Sequence, residues 1–152
     1  MKKFKLLYLL VILAMTGQQL AGQDVEERSE KIKAQKVAFI TRKVGLTPAE
    51  AQKFWPVYNE YDEQRSKILE QRRSTSWYYI QNSSTLSEKE TDEIIGRYIS
   101  LQKQENELLE KYNAKFRQIL PASKVMKLYV AEVEFKTWLL KQIRDNKTQG
   151  VK

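Results

Sequence analysis

The chain has 152 residues, 41% hydrophobic and 30% charged, which gives room for one domain and little for a second. It contains no Cys and no His, which excludes disulfides, Cys/His zinc sites, Ser-His-Asp and Cys-His triads, and the usual general base near neutral pH. Five Gly and three Pro, with Gly17 and Gly22 close to the start, are too few turn formers for a many-stranded sheet, so an all-α fold follows.

Residues 1–22 read as a secretory signal peptide. Lys2, Lys3 and Lys5 form a basic start, residues 6–15 an apolar run, and Leu20-Ala21-Gly22 a small-residue cleavage region. The run is about half the roughly 20 residues that span a bilayer, so cleavage near Ala21 or Gly22 is expected and a retained anchor is not. No Cys follows that could carry a lipid. The leader holds three Lys and no acid, so its removal lowers the formal charge from +8 to +5. For an exported protein that charge favours acidic protein surfaces, or weak contact with a membrane surface, and not nucleic acid.

The mature chain divides into a helical domain over residues 23–146 and a flexible tail over 147–152. A first helix follows the acidic stretch at Asp24, Glu26 and Glu27, with Ile32, Phe39, Ile40 and Val44 on one stripe and Gly45 as a left-handed cap. Leu46-Thr47-Pro48-Ala49-Glu50 then opens a second: Thr47 is the N-cap, Pro48 takes the first helical position, and Glu50 reaches back. Its apolar stripe runs through Ala51, Phe54, Trp55, Tyr58, Tyr61, Ile68 and Leu69, with Pro56 inside, predicting a kink and no stop.

The pattern fades through residues 72–76, resumes at Trp77-Tyr78-Tyr79-Ile80, and dissolves over 81–85 into the main loop. Ser87 and Glu90 make a second capping box. The third helix carries Ile94, Ile95, Tyr98, Leu101, Leu108, Leu109, Tyr112, Phe116 and Ile119 on one side. Gly96 within it costs about 1 kcal/mol relative to Ala and either allows close helix contact or is incidental. Pro121 ends that helix, and a fourth begins at Ala122 with Val125, Leu128, Tyr129, Val133, Leu139, Leu140 and Ile143 as its apolar members. Acid-first pairs at Glu27/Lys31, Glu63/Lys67, Glu107/Lys111 and Glu132/Lys136 mark solvated helix faces.

Leu46-Thr47-Pro48-Ala49-Glu50, the run from Phe54 to Tyr61 and the segment from Ile119 to Phe135 resemble the Spy/CpxP family of periplasmic proteins. More narrowly, they resemble the branch labelled sensor of ECF-type sigma factor. Family members carry two LTxxQ motifs; Leu46 and Thr47 match the first, with Glu50 in place of Gln. At the second, Leu120-Pro121-Ala122-Ser123-Lys124, only the Leu is kept. The resemblance implies a bent four-helix hairpin-like cradle, a homodimer, and a concave basic face with apolar patches. Spy-like members hold unfolding proteins there without ATP, whereas CpxP-like members bind a membrane sensor kinase.

Two functions follow as expectations. One is a periplasmic, ATP-independent chaperone for non-native envelope proteins. The alternative is an envelope-stress adaptor that binds a signalling protein of an ECF-type sigma factor or two-component system. No enzyme activity, metal or cofactor is expected, since Met126 is the only soft metal ligand after the leader. The stripe of Phe54, Trp55, Tyr58 and Tyr61 reads first as core and second as a client surface. Trp77, Tyr78 and Tyr79, in a weakly patterned helix end, are the better candidates for client binding, with Arg65, Arg72 and Arg73 as cations beside them. Leu46, Thr47, Pro48 and Glu50 are assigned to capping.

Overall fold

The computed structural model describes residues 26–149, with side chains through residue 145, so the leader expected over 1–22 lies outside them. The described residues form four helices and no strand: α1 over 26–44, α2 Pro48–Asn82, α3 Glu88–Ile119 and α4 Ala122–Gln149. The all-α reading holds. No helix among these residues is long and apolar enough to cross a membrane.

The helix boundaries follow from local chemistry. Gly45 has φ +69°, a left-handed conformation that strains any L side chain, and it stops α1. Glu50 N–H donates to Thr47 Oγ1 at 3.3 Å and Thr47 N–H donates to Glu50 Oε2 at 2.7 Å, so two orphan donors at the start of α2 are satisfied reciprocally. Ser87 and Glu90 repeat the device at α3, with 3.3 Å and 2.8 Å for the same two bonds. Pro121 pushes Leu120 into extended backbone and ends α3. The Pro121 carbonyl then accepts from Lys124 N–H at 3.0 Å and Val125 N–H at 3.1 Å as α4 begins.

Two boundaries differ from expectation. α2 runs unbroken through residues 72–76 to Asn82, so the main turn is confined to residues 83–87. The polar residues that blur the pattern are satisfied inside the helix: Thr75 Oγ1 donates to the Gln71 carbonyl at 2.8 Å and Ser76 Oγ to that of Arg72 at 3.1 Å. α4 continues to Gln149, past the end expected near residue 146, because neither Gly nor Pro interrupts it before Gly150.

Among the described residues two compact units are distinguished. One is Val44–Val130; the other combines α1 up to Lys43 with α4 from Ala131. In the first, α2 and α3 form an antiparallel hairpin whose core is a ladder of rings. Phe54, Tyr58, Tyr61, Tyr112 and Phe116 are all buried, with Phe54–Phe116 centroids at 5.5 Å, Tyr61–Tyr112 at 5.3 Å and Tyr61–Phe116 at 5.7 Å. Each such pair adds about 0.5–1.5 kcal/mol to the burial of its area. In the second unit Phe39 meets Phe135 at 5.6 Å and Trp138 at 6.3 Å, and Lys43 pairs with Glu134 at 2.7 Å.

The single apolar sides expected of α3 and α4 split. Leu101, Leu108, Tyr112 and Phe116 are buried on α3, while Ile95 and Tyr98 are exposed. On α4, Val125 and Leu128 are buried and Val133, Leu140 and Ile143 are exposed. Apolar residues extend round each helix farther than its neighbours cover, and periodicity cannot say which edge of a wide stripe is left out.

Candidate functional site

The capping motif at the start of α2 ties that helix to α4 and to the turn at Gly45. Glu50 Oε2, already bound to Thr47 N–H, also accepts from Lys124 Nζ at 2.6 Å, and Lys124 Nζ donates to the Gly45 carbonyl at 2.7 Å. Hydrogen bonding from the Lys124 ammonium, then from Thr47 N–H, holds the Glu50 carboxyl below its ordinary value. Glu50 and Lys124 are the fifth residues of the two five-residue segments that begin at Leu46 and Leu120. The fifth residue of the second segment therefore supplies the cation that the first segment's acid binds. Leu46, Thr47, Pro48 and Glu50 lie where the start of α2 meets Lys124 of α4, away from the exposed end of the hairpin.

Halfway along the hairpin a polar cluster flanks the ring ladder. The buried Tyr112 hydroxyl accepts from Gln64 Nε2 at 2.7 Å, and Lys115 Nζ lies 3.3 Å from Glu60 Oε2. Burial, then the Glu60 carboxylate, push the Tyr112 phenol up; the Tyr112 hydroxyl and Lys115 pull Glu60 down. These groups partner one another across the two helices.

Farther along, Arg65 and Arg72 of α2 converge on one carboxylate of α3. Arg65 Nε donates to Glu105 Oε1 at 3.1 Å and Arg72 Nη1 to Glu105 Oε2 at 2.8 Å; Arg72 also bonds Gln102 and stacks over the Tyr98 ring at 5.9 Å. Both guanidiniums are thus staples between helices, with their charge largely answered inside the chain. Arg73 points outward and pairs with Glu70 at 2.8 Å, with its side chain 78% exposed. Of the three arginines singled out from sequence, it alone presents its charge to solvent. The acid-first helix pairs behave unevenly: Glu63 bonds Lys67 at 2.7 Å, but Glu107 pairs with Lys103 at 3.7 Å and not with Lys111.

Beyond this staple the packing changes. Trp77, Tyr78, Tyr79 and Ile80 are between 43% and 61% exposed, and Ile95, Tyr98 and Ile99 of α3 are exposed beside them. Four consecutive residues at about 100° intervals circle α2, so the rings do not share one face. Trp77 lies with Glu70, Arg73 and Ser74, and Tyr78 with Glu90, Glu93 and Arg97 on one side of the seam between the helices. Tyr79 and Ile80 face the other side, where they join Thr91, Ile95 and Tyr98 around an open groove of about 430 Å³ with Thr75 and Ile94 at the seam. Only Tyr79 among the sequence candidates lines it.

Ile80, Ile95 and Tyr98 were not singled out from sequence, although a signal was present. Ile94, Ile95, Tyr98 and Ile99 subtend about 140° round α3, more than the single neighbouring helix of a hairpin covers. Among the described residues, no group of three or more carboxylates is placed to hold a metal ion. Comparison with family models, curated proteins and solved structures finds no match for this chain.

Proposed function

We propose that this chain is an exported periplasmic protein that holds non-native proteins of the cell envelope, without ATP, catalysis or cofactor, and works as a homodimer. The observation that supports the reading is the belt of Trp77, Tyr78, Tyr79, Ile80, Ile95, Tyr98 and Ile99 left in water at the far end of a hairpin whose other half buries every ring but Trp55. The resemblance to Spy/CpxP proteins points the same way.

Magnitudes favour loose binding. Covering each exposed ring or Ile side chain is worth on the order of 1–3 kcal/mol, and a client touches only some of them at once. Association costs about 4–15 kcal/mol in lost freedom before any gain appears. The surplus suits a weak, reversible hold on many sequences, with the positive charge of the mature chain raising the encounter rate.

Light scattering of two unrelated proteins during thermal denaturation tests the reading. The mature chain should suppress aggregation of both at modest molar excess, and a Tyr79→Ser/Ile80→Ser/Ile95→Ser variant with unchanged helicity should not. Absence of protection, together with one dominant envelope protein recovered by crosslinking in cells, would replace this function by that of a signalling adaptor.

A further inference from the structure

We infer that the groove between Tyr79 and Ile80 of α2 and Ile95 and Tyr98 of α3 takes apolar protein segments flanked by Lys or Arg, not the acidic ones that the net charge favours. This deepens, and rests on, the reading of the hairpin end as a protein-binding surface.

The lining of the groove carries no charged side chain, so its preference is set at the rim. On the α3 wall, residues 88, 92, 95 and 99 follow one another at spacings of four, three and four, which places Glu88 and Asp92 in line with Ile95 and Ile99 on one side of the helix. Both carboxylates are exposed and, among the described residues, neither has an ion-pair partner. Lys89 is turned about 100° from Glu88 and about 60° from Asp92 round α3, and it forms an ion pair with neither. On the α2 wall the cations are already committed: Arg72 is bound by Glu105 at 2.8 Å and by Gln102 and lies over Tyr98, and Arg73, in line with Ser76 and Ile80, pairs with Glu70 at 2.8 Å. The unanswered charge at the groove is negative.

The helix dipole does not account for all of this. Acids answer it in the first turn, where Glu88 and Glu90 stand, and Glu90 is engaged with Ser87. Asp92 lies one turn later, beyond the reach of that effect. A negative rim also opposes anionic lipid head groups, so the geometry favours a protein segment over a membrane surface.

Two labelled peptides with the same Leu/Phe centre, one flanked by Lys and one by Glu, decide the point by fluorescence anisotropy with the mature chain. The Lys-flanked peptide should bind roughly fivefold more tightly at low salt, a difference that two exposed carboxylates can supply and that high salt shrinks. Glu88→Gln with Asp92→Asn should equalise the two affinities, and Ile95→Ser should weaken both peptides while circular dichroism stays unchanged. Equal or tighter binding of the Glu-flanked peptide, or a preference that survives the double substitution, overturns the inference. Stronger binding to anionic vesicles than to either peptide does so too, as does an Ile95→Ser effect confined to self-association. If aggregation is still suppressed while the preference is absent, only the charge selection fails. If the preference persists without suppression, the holding function fails and the groove's selectivity stands.

Discussion

Between residues 54 and 61 of α2 and 108 and 116 of α3, every ring but Trp55 is buried; between residues 77 and 80 and 95 and 99, the rings and Ile side chains are exposed. The two ends of the hairpin use similar residue types on the same two helices. They differ in what lies alongside and in how the polar groups are answered. The covered end is closed by the Glu50–Lys124 junction with α4, and Tyr129 of α4 bonds Asn113 of α3 at 2.8 Å. Past the Arg65–Glu105–Arg72 staple, the described residues of this unit offer α2 and α3 only each other, and two helices in contact leave most of their circumference in water. Exposure of the far end is thus a consequence of hairpin length, and the apolar residues there are not explained by core packing.

The largest test of that contrast is at the covered end. Phe116→Ala removes a fully buried ring that meets Phe54, Tyr58 and Tyr61. It should cost about 3–5 kcal/mol by urea unfolding, through lost burial and the cavity left behind. Next is the staple: Glu105→Ala leaves Arg65 and Arg72 without their shared carboxylate, in a site where all three side chains are at least two-thirds covered. A loss of about 2 kcal/mol is expected, together with faster amide exchange in α2 beyond residue 72.

At the exposed end the signs change. Gly96→Ala should stabilise the chain by up to about 1 kcal/mol in thermal unfolding, since an added Cβ meets nothing within 4 Å and helix propensity alone acts. Within the described chain the glycine permits no close contact. The triple substitution Tyr79→Ser/Ile80→Ser/Ile95→Ser should shift stability by less than about 0.5 kcal/mol per site, as exposed positions do, while removing client holding. A loss of several kcal/mol there would mean that the two ends are one core.

The smallest contributions per residue are electrostatic. Glu50, Glu60, Glu63 and Glu90 are all held below the ordinary carboxylate value of 4.5, by Lys124, Tyr112, Lys67 and Ser87 respectively as the leading causes. A lowered folded value means stability that is present above 4.5 and lost as pH falls through the folded values. Urea midpoints should therefore be flat above 4.5 and decline below it, and Glu50→Gln should flatten part of that decline. Tyr112 is raised above 10.0, so its contribution should be present below pH 10 and lost above it.

Helix starts and stops were legible in the sequence because their causes are local. Thr47 and Glu50, Ser87 and Glu90, Gly45 and Pro121 each act within five residues, and each ends or opens a helix where the pattern puts it. The ladder of Phe54, Tyr58, Tyr61, Tyr112 and Phe116 was legible as core from its helical spacing. The roles of Arg65 and Arg72 were not, since the carboxylate that binds them is 40 and 33 residues away. Among the client-binding candidates, Trp77, Tyr78 and Tyr79 stand in water, but their separation onto different sides of α2 needed the partner helix to define the sides.

By itself the sequence determined the helical class, the helix boundaries at Gly45, Thr47, Ser87 and Pro121 and the residue types available at each level of the hairpin, because backbone geometry and capping depend on near neighbours. Tertiary structure alone decided which apolar residues are covered, which arginines are neutralised, and that Ile80, Ile95 and Tyr98 share a groove with Tyr79. Burial and charge pairing depend on distances through space, and a periodic stripe wider than one neighbouring helix leaves that choice open.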